Sequence, residues 1–528
     1  MNVLDIQQLK VSVGIRTLID VKNLRVQAGQ RIGLIGKNGS GKTTLFRALL
    51  GEMEADIKKV AVQKTIGVLP QLKPNHATKS GGEVSQEYMV KVLSQLPGIL
   101  LADEPTTNLD ASHIQWVEKE LNAFQGTLLM VSHDRTLLDN VCDTIWELED
   151  GKITEYSGNY SDYLQQKQNQ KKHQQKEYEK YQRKAKQLEQ AIEQKEQQAT
   201  NAMKAPKNLT SSEARDISSS RVHYGKIQKG LHQNRKALQT RLEKLEVVEK
   251  PQDEALVKMT LPNTKSFKNK VIIRAEKVRG QAGSKKLWEP ATFFIKGGDK
   301  VGIIGPNGSG KTTFLQKLLA QSDDQLYVSP AAKIGYFAQN MDILDHSKSI
   351  IENVKEQSKQ SETLIRIVLA RLGFYEDEVH KTISVLSGGE RVKVSLAKLF
   401  VSDSNTLILD EPTNYLDIYA LEALEDLLKD YEGTLLIVSH DRQFISAIST
   451  KVLIFEDKEL GLFDGSYEEY VNRSAGEFRD VKKEQRMQIE MNIASVLGQL
   501  SDPMVSDDKK EALDAEFQAL VQKKRELE

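Results

Sequence analysis

The chain has almost nothing that would suit an oxidising or membrane-embedded setting. One cysteine in 528 residues, Cys142, excludes an internal disulfide, and its apolar surroundings (LLDNVCDTIWEL) are those of a small buried hydrophobe. No run approaches the roughly 18 uninterrupted apolar residues of a membrane helix. The first residues, MNVLDIQQLK, lack the basic, apolar and small-residue succession of a secretory leader, so a cytoplasmic protein is expected. Net charge is also lacking, since 74 Lys and Arg offset 74 Asp and Glu. A composition of 39% hydrophobic and 28% charged residues is ordinary for three or four domains' worth of chain with two sizeable cores.

Two stretches carry phosphate chemistry. An apolar strand, RIGLI, runs into Gly36-Lys37-Asn38-Gly39-Ser40-Gly41-Lys42-Thr43, followed by Thr44 and the helical run TLFRALL. Strand, glycine loop and helix stand in the order that lets backbone N–H groups curl around phosphates at a helix N-terminus. Lys42 is then placed for the β and γ phosphates and the Thr43 hydroxyl for Mg²⁺. A second apolar strand, ILLA, delivers Asp103 and Glu104 to its end, the first to hold a magnesium shell and the second to polarise an attacking water. A third, TLLMVS, ends in His133, which taken alone is more often a structural histidine. The whole set recurs. KVGII precedes Gly305-Pro306-Asn307-Gly308-Ser309-Gly310-Lys311-Thr312 and Thr313, TLIL ends in Asp410 and Glu411, and TLLIVS ends in His440. An internal repeat of this length makes the chain two copies of one engine and moves His133 and His440 towards function.

In order, Gln71, Ser80-Gly81-Gly82-Glu83, Asp103-Glu104, Asn108-Leu109-Asp110 and His133 resemble the motif set of an ATP-binding cassette, as do Gln339, Ser387-Gly388-Gly389-Glu390, Asp410-Glu411, Asn414 to Asp417 and His440. The resemblance implies two α/β P-loop cassettes paired head to tail in a monomer, with ATP and Mg²⁺ as cofactors. Each nucleotide would lie between the P-loop of one cassette and the signature of the other, with Gln71 and Gln339 completing the two magnesium shells beside Thr43 with Asp103 and Thr312 with Asp410. The copies differ. There is room for a helical subdomain between Gln339 and Ser387 but only eight residues between Gln71 and Ser80, and neither KVSVGIRTL nor VRGQAGSKKLW sets an aromatic ahead of its P-loop to stack on a base.

Between the copies, Ser161 to Lys250 holds 20 Lys and Arg against 11 Asp and Glu. Tyr178, Tyr181, Ala185, Leu188 and Ile192 are spaced three and four apart, and Leu231, Leu238, Leu242 and Leu245 continue beyond a polar break at about 199–224. The pattern predicts two helices folded back on each other with a loop at the tip, on the order of 55 Å out if residues 162–200 form one helix. A charged hairpin of this kind serves either as a solvated spacer or as an arm for RNA phosphates. In the tip, Met203, Leu209, Ile217, Val222, His223 and Tyr224 are candidate contacts with bases, and Lys204, Lys207, Arg215, Arg221 and Lys226 candidate phosphate partners. The expected divisions are 1–160 and 251–474 for the cassettes, 161–250 for the linker, and 475–528 for a helical C-terminal extension.

Two fused cassettes, a long helical linker and no membrane segment resemble the ABC-F class over essentially the whole chain, and LLADEPTTNLD, ITEYSGNYSDY and SVLSGGERVKV look most like the Vga-type antibiotic resistance proteins. That resemblance implies an ATPase of the cytoplasm that binds the bacterial ribosome at the tRNA exit site. Its linker tip would face 23S rRNA and P-site tRNA and dislodge lincosamides, pleuromutilins and streptogramin A compounds. Two other readings stay open: the ATPase subunit of a drug exporter with a separate membrane partner, and a nucleic-acid remodelling ATPase with a coiled-coil arm.

Overall fold

The computed structural model describes residues 2–13, 16–53, 56–62, 64–70, 81–107, 109–201, 229–230, 232–245, 248, 268–321, 324–338, 343–414 and 416–472, with Val496, Leu513, Ala515 and 517–523 of the tail. Contacts group Met1–Tyr160 with Ala255–Glu528 in one compact unit and Ser161–Glu254 in a second.

Each cassette of the first unit is built on a six-stranded sheet. In the first copy the order is β5 (Ile66–Leu69), β6 (Ile99–Asp103), β7 (Thr127–Val131), β3 (Arg31–Ile35), β8 (Thr144–Glu149) and β9 (Lys152–Ser157). In the second it is β14 (Ile334–Phe337), β15 (Thr406–Asp410), β16 (Thr434–Val438), β12 (Lys300–Ile304), β17 (Lys451–Glu456) and β18 (Glu459–Phe463). The first five strands of each sheet run parallel and the last antiparallel. Parallel strands covered on both faces need continuous apolar runs rather than alternation, and β6, β7, β15 and β16 are buried at every residue. A smaller antiparallel sheet covers each core: β1 (Asn2–Val13), β2 (Arg16–Gln27) and β4 (Asp56–Val62) in the first copy, and β10 (Val271–Ala282), β11 (Lys285–Lys296) and β13 (Leu326–Val328) in the second.

The helices begin where side chains satisfy their first free N–H groups. Asp110 caps α3 (Ala111–Ala123), Asp134 caps α4 (Arg135–Val141), Asp417 caps α10 (Ile418–Asp430) and Asp441 caps α11 (Arg442–Ile448). Helices α1 (Lys42–Leu49) and α6 (Lys311–Ala320) lack such a cap and start from Gly41 and Gly310, leaving their N-termini open to a ligand. Between β14 and α9 (Gly388–Phe400), the second copy folds α7 (Ile350–Lys355), α8 (Glu362–Arg371) and a 3₁₀ turn, Glu376–His380. The first copy passes from β5 to α2 (Gly81–Leu93) through residues 70–80 alone.

In the second unit, α5 (Tyr160–Asn201) is a single helix of 42 residues, about 63 Å at 1.5 Å per residue. Residues 229–230 and 232–243 are helical as well. Tyr178, Tyr181, Ala185, Leu188 and Ile192 are half-buried on α5, as are Leu238, Leu242 and Leu245 on the returning segment. Arg235 Nη1 donates to Glu196 Oε1 at 2.8 Å between the two segments. The tip residues Met203, Lys204, Lys207, Leu209, Arg215, Ile217, Arg221, Val222, His223, Tyr224 and Lys226 lie outside the described residues, as does Leu231.

Candidate nucleotide-binding site

Each P-loop leaves the C-terminal end of the fourth strand of its sheet, β3 or β12, the usual ligand position in an open parallel sheet. Gly41 and Gly310 hold φ of +106° and +108°, a region side chains rarely adopt, and this lets each loop turn into its helix. Lys42 Nζ folds back onto the Gly36 and Lys37 carbonyls at 2.7 and 3.1 Å, and Lys311 Nζ onto those of Gly305 and Pro306 at 2.8 and 3.0 Å. Burial lowers the pKa of both lysines, while Glu104, Asp417 and Asp103 around Lys42, and Glu411, Asp110 and Asp410 around Lys311, pull the other way.

The carboxylates stand opposite. Asp103 ends β6 within hydrogen-bonding reach of the Thr43 hydroxyl, and Asp410 ends β15 beside the Tyr336 hydroxyl. Burial raises the pKa of both aspartates and drives Glu104 and Glu411 up to about 8, against the pull of Lys42 and Lys311. His133 Nε2 is 3.3 Å from Glu104 Oε1, and its backbone N–H donates to Glu104 Oε2 at 3.3 Å. His440 Nε2 is 3.4 Å from Glu411 Oε1. Burial, helped by Lys42 and Lys311, takes the two histidines down to about 3 and about 4, so both rings are neutral at neutral pH.

The two halves complete each other. The Asn38 N–H donates to Asp417 Oδ2 at 2.8 Å and the Asn307 N–H to Asp110 Oδ2 at 3.3 Å, so each P-loop is met by an aspartate of the other cassette. Arg135 of the first cassette hydrogen-bonds Glu425 of the second and lies 3.7 Å from Asp441. The Tyr419 hydroxyl donates to Glu147 at 2.5 Å and the Tyr160 hydroxyl to Glu422 at 2.8 Å. One cleft of about 2620 Å³ runs between the halves, lined by residues 37–44, Asp103, Glu104 and His133 together with Asn307, Gly308, Gly310 to Thr313, Ser387, Gly389, Glu390, Asp410, Glu411 and His440. A volume well above the 300–1,000 Å³ of a single small-molecule pocket suits more than one ligand. Ser387 caps α9 and donates to Glu390 Oε2 at 2.7 Å. Gly81, Gly82 and Glu83 open α2. Gln71, Ser80, Asn108 and Gln339 lie outside the described residues.

A triphosphate with magnesium fits these residues. Ser40 Oγ and Ser309 Oγ are buried in the P-loops without a hydrogen-bond partner, as is His133 Nδ1. Among the described residues no group of three or more His, Cys, Asp or Glu could cage a metal. Mg²⁺ needs no such cage, since it takes one or two carboxylates and fills its shell with phosphate oxygens and waters. The base side is different. Trp288, the aromatic nearest the second P-loop, is completely buried beneath Gly310 with Phe314 and Phe455 and offers no face to a base.

A family model described as ABC transporter matches residues 19–77 and 288–414, and an extension model of the same description matches 146–216. The ribosome protection protein VmlR of Bacillus subtilis (strain 168) is 32% identical over 97% of this chain and 96% of its own length. The chain belongs to the ABC-F family of ATPases. This ABC-F ATPase is also 35% identical to the erythromycin resistance ATP-binding protein MsrA of Staphylococcus epidermidis, over 82% of this chain and 93% of that protein. In fold it is similar to the archaeal ribosome recycling factor aABCE1, solved with the stalk protein aP1, at a TM-score of 0.59 and 17% identity over 89% of this chain and 94% of that one. No described helix of the ABC-F ATPase is long and apolar enough to cross a membrane. Arg135, Glu425 and the tyrosine contacts between its halves carry no sequence signature, because each acts through a partner far away in the chain.

Proposed function

We propose that this ABC-F ATPase is a ribosome protection factor. With ATP held between its cassettes it binds the bacterial ribosome at the tRNA exit site, and the linker tip at about 200–224 displaces lincosamides, pleuromutilins and streptogramin A compounds from the peptidyl-transferase centre. The carrying observation is the likeness to a ribosome protection protein over 97% of the chain. The erythromycin resistance protein supports it, and so does the linker's surplus of nine positive charges, which suits rRNA phosphates and P-site tRNA. The proposed divisions are cassettes at 1–160 and 251–474, the linker at 161–250 and an extension at 475–528.

In the cycle, nucleotide between Gly36–Thr44 and Ser387–Glu390, and between Gly305–Thr313 and Ser80–Glu83, joins the halves. Magnesium, held by Thr43, Asp103 and Gln71 at one site and by Thr312, Asp410 and Gln339 at the other, would supply charge neutralisation between the phosphates. Glu104 and Glu411 accept the proton of the attacking water, and a pKa near the working pH matches a group that must take a proton and give it up. Neutral His133 and His440 donate a hydrogen bond to the γ-phosphate or the water. Hydrolysis removes the bridge between the halves and releases the ribosome.

Glu104→Gln with Glu411→Gln keeps the shape of both side chains and removes both bases. With ATP, the double variant is expected to sediment with ribosomes through sucrose and to reduce turnover at least 100-fold. A double variant that leaves ribosomes as fast as the wild type overturns this cycle.

A further inference from the structure

The two nucleotide sites have unequal walls. At the first P-loop, Thr17, Leu18, Glu149 and Lys37 line the cleft on the side of their own cassette. On the opposite side, the second cassette contributes Arg371 at the end of α8 and the segment that follows it, including Tyr375 and Glu378. Lys37 marks the meeting point, because its ammonium lies 3.6 Å from Glu149 and is felt by the Glu378 carboxylate. The backbone of Tyr375 is tied into this turn. Its N–H donates to Glu378 Oε2 at 3.4 Å, the Glu378 N–H donates to the Tyr375 carbonyl at 2.9 Å, and Lys381 Nζ holds the same carboxylate at 2.6 Å. Glu376, next in the chain, is kept at a left-handed φ of +42°. Phe374 is 4% exposed in the core, while Tyr375 stands 44% exposed in the cleft. Residues 70–80 of the first copy, which hold no Tyr, Phe or Trp, stand in the chain where the second copy has 338–387, so among the described residues the second P-loop has no counterpart of this wall.

We propose that Tyr375 closes a base slot in trans over the nucleotide held by Gly36–Thr43. That site therefore prefers the larger stacking face of a purine nucleoside triphosphate and releases it slowly, whereas the site on Gly305–Thr312 binds through phosphates alone and exchanges quickly. The inference rests on the nucleotide sandwich described above. Stacking of a base on an aromatic side chain accounts for about a tenfold or greater change in affinity, and it takes adenine and guanine alike because both offer the same bicyclic face. Among the described residues, no Phe, Tyr or Trp of the first cassette lines the cleft beside Gly36–Thr43.

The test uses the full chain with Glu104→Gln and Glu411→Gln, loaded with ribose-labelled fluorescent ATP, GTP or CTP and chased in a stopped-flow instrument. Two nucleotides per chain should leave ATP- and GTP-loaded protein in a slow and a fast phase of equal amplitude. Lys42→Ala should delete the slow phase and Lys311→Ala the fast one. Tyr375→Ala should accelerate the slow phase about tenfold while Tyr375→Phe leaves it unchanged, and CTP should leave both sites fast. Two nucleotides departing with one rate constant that Tyr375→Ala does not alter, or a slow phase deleted by Lys311→Ala, overturns the base slot alone. One nucleotide per chain overturns the sandwich and the slot together.

Discussion

Glu104 and Glu411 sit at φ of +50° and +51°, a region that disfavours any residue with a Cβ, and they do so at equivalent points of two copies that differ elsewhere. Strain of this kind costs on the order of 1–3 kcal/mol and persists only where the surroundings enforce it. Here the Glu104 and Glu411 N–H groups are tied to the Val131 and Val438 carbonyls, each at 2.9 Å. The glycines allow a sharper comparison. A Cβ on Gly41 would meet Ile19 at an ordinary 3.4 Å, whereas one on Gly310 would lie 2.5 Å from the Trp288 ring. Gly41→Ala should therefore lose only the left-handed preference, about 1–2 kcal/mol, and Gly310→Ala a further 1–3 kcal/mol for displacing a packed ring. Urea midpoints of the two variants should rank in that order. Both glycines are legible in the sequence through the P-loop pattern, but the difference between them is not. It depends on Trp288 arriving from another sheet.

At the scale of elements, the equivalent helices α4 and α11 bring their capping aspartates into one buried region. Asp134 faces Asp441 and Arg442 and accepts from the N–H of Leu137, and Asp441 faces Arg135. Burial, with Asp441 adding to it, raises Asp134 to about 6. An unfolded aspartate gives up its proton near 4. The native state therefore loses stability steadily as pH rises from about 4 to about 6, and carries the full penalty above that. Asp134→Asn keeps an oxygen for the cap and removes the charge. Its thermal midpoint should exceed that of the wild type at pH 7.5 by a few degrees, with an advantage that shrinks steadily as the pH is lowered towards 4. Each cap lies in a Ser-His-Asp-Arg run after an apolar strand, of which only the histidine is singled out by sequence motifs. Neither the caps nor their convergence was read there, since nothing in a local pattern says which helix of the other cassette it will meet.

For the whole molecule, the proposed function gives catalysis and drug displacement to different units, so the two should separate. Replacing residues 203–224 with glycine and serine is expected to leave ATP turnover within about twofold and to abolish protection of translation against every drug the parent protects against. ATPase assays beside cell-free translation with each inhibitor measure the two effects. Retained protection in that variant would remove the linker from the account.

The sequence by itself determined the two P-loops, the six apolar strands around them, the carboxylates at their ends, the doubled order of motifs and the rhythm of the linker helices. Each of those is written in contiguous residues, where strand and helix periods and glycine-loop chemistry act locally. Only the tertiary structure decided that Asp110 and Asp417 each answer the other half's P-loop, that Trp288 is buried beneath Gly310, and that Tyr375 faces a cleft begun more than 300 residues earlier in the chain. Those outcomes follow from two cores packing against each other, and such packing joins residues that share no local pattern.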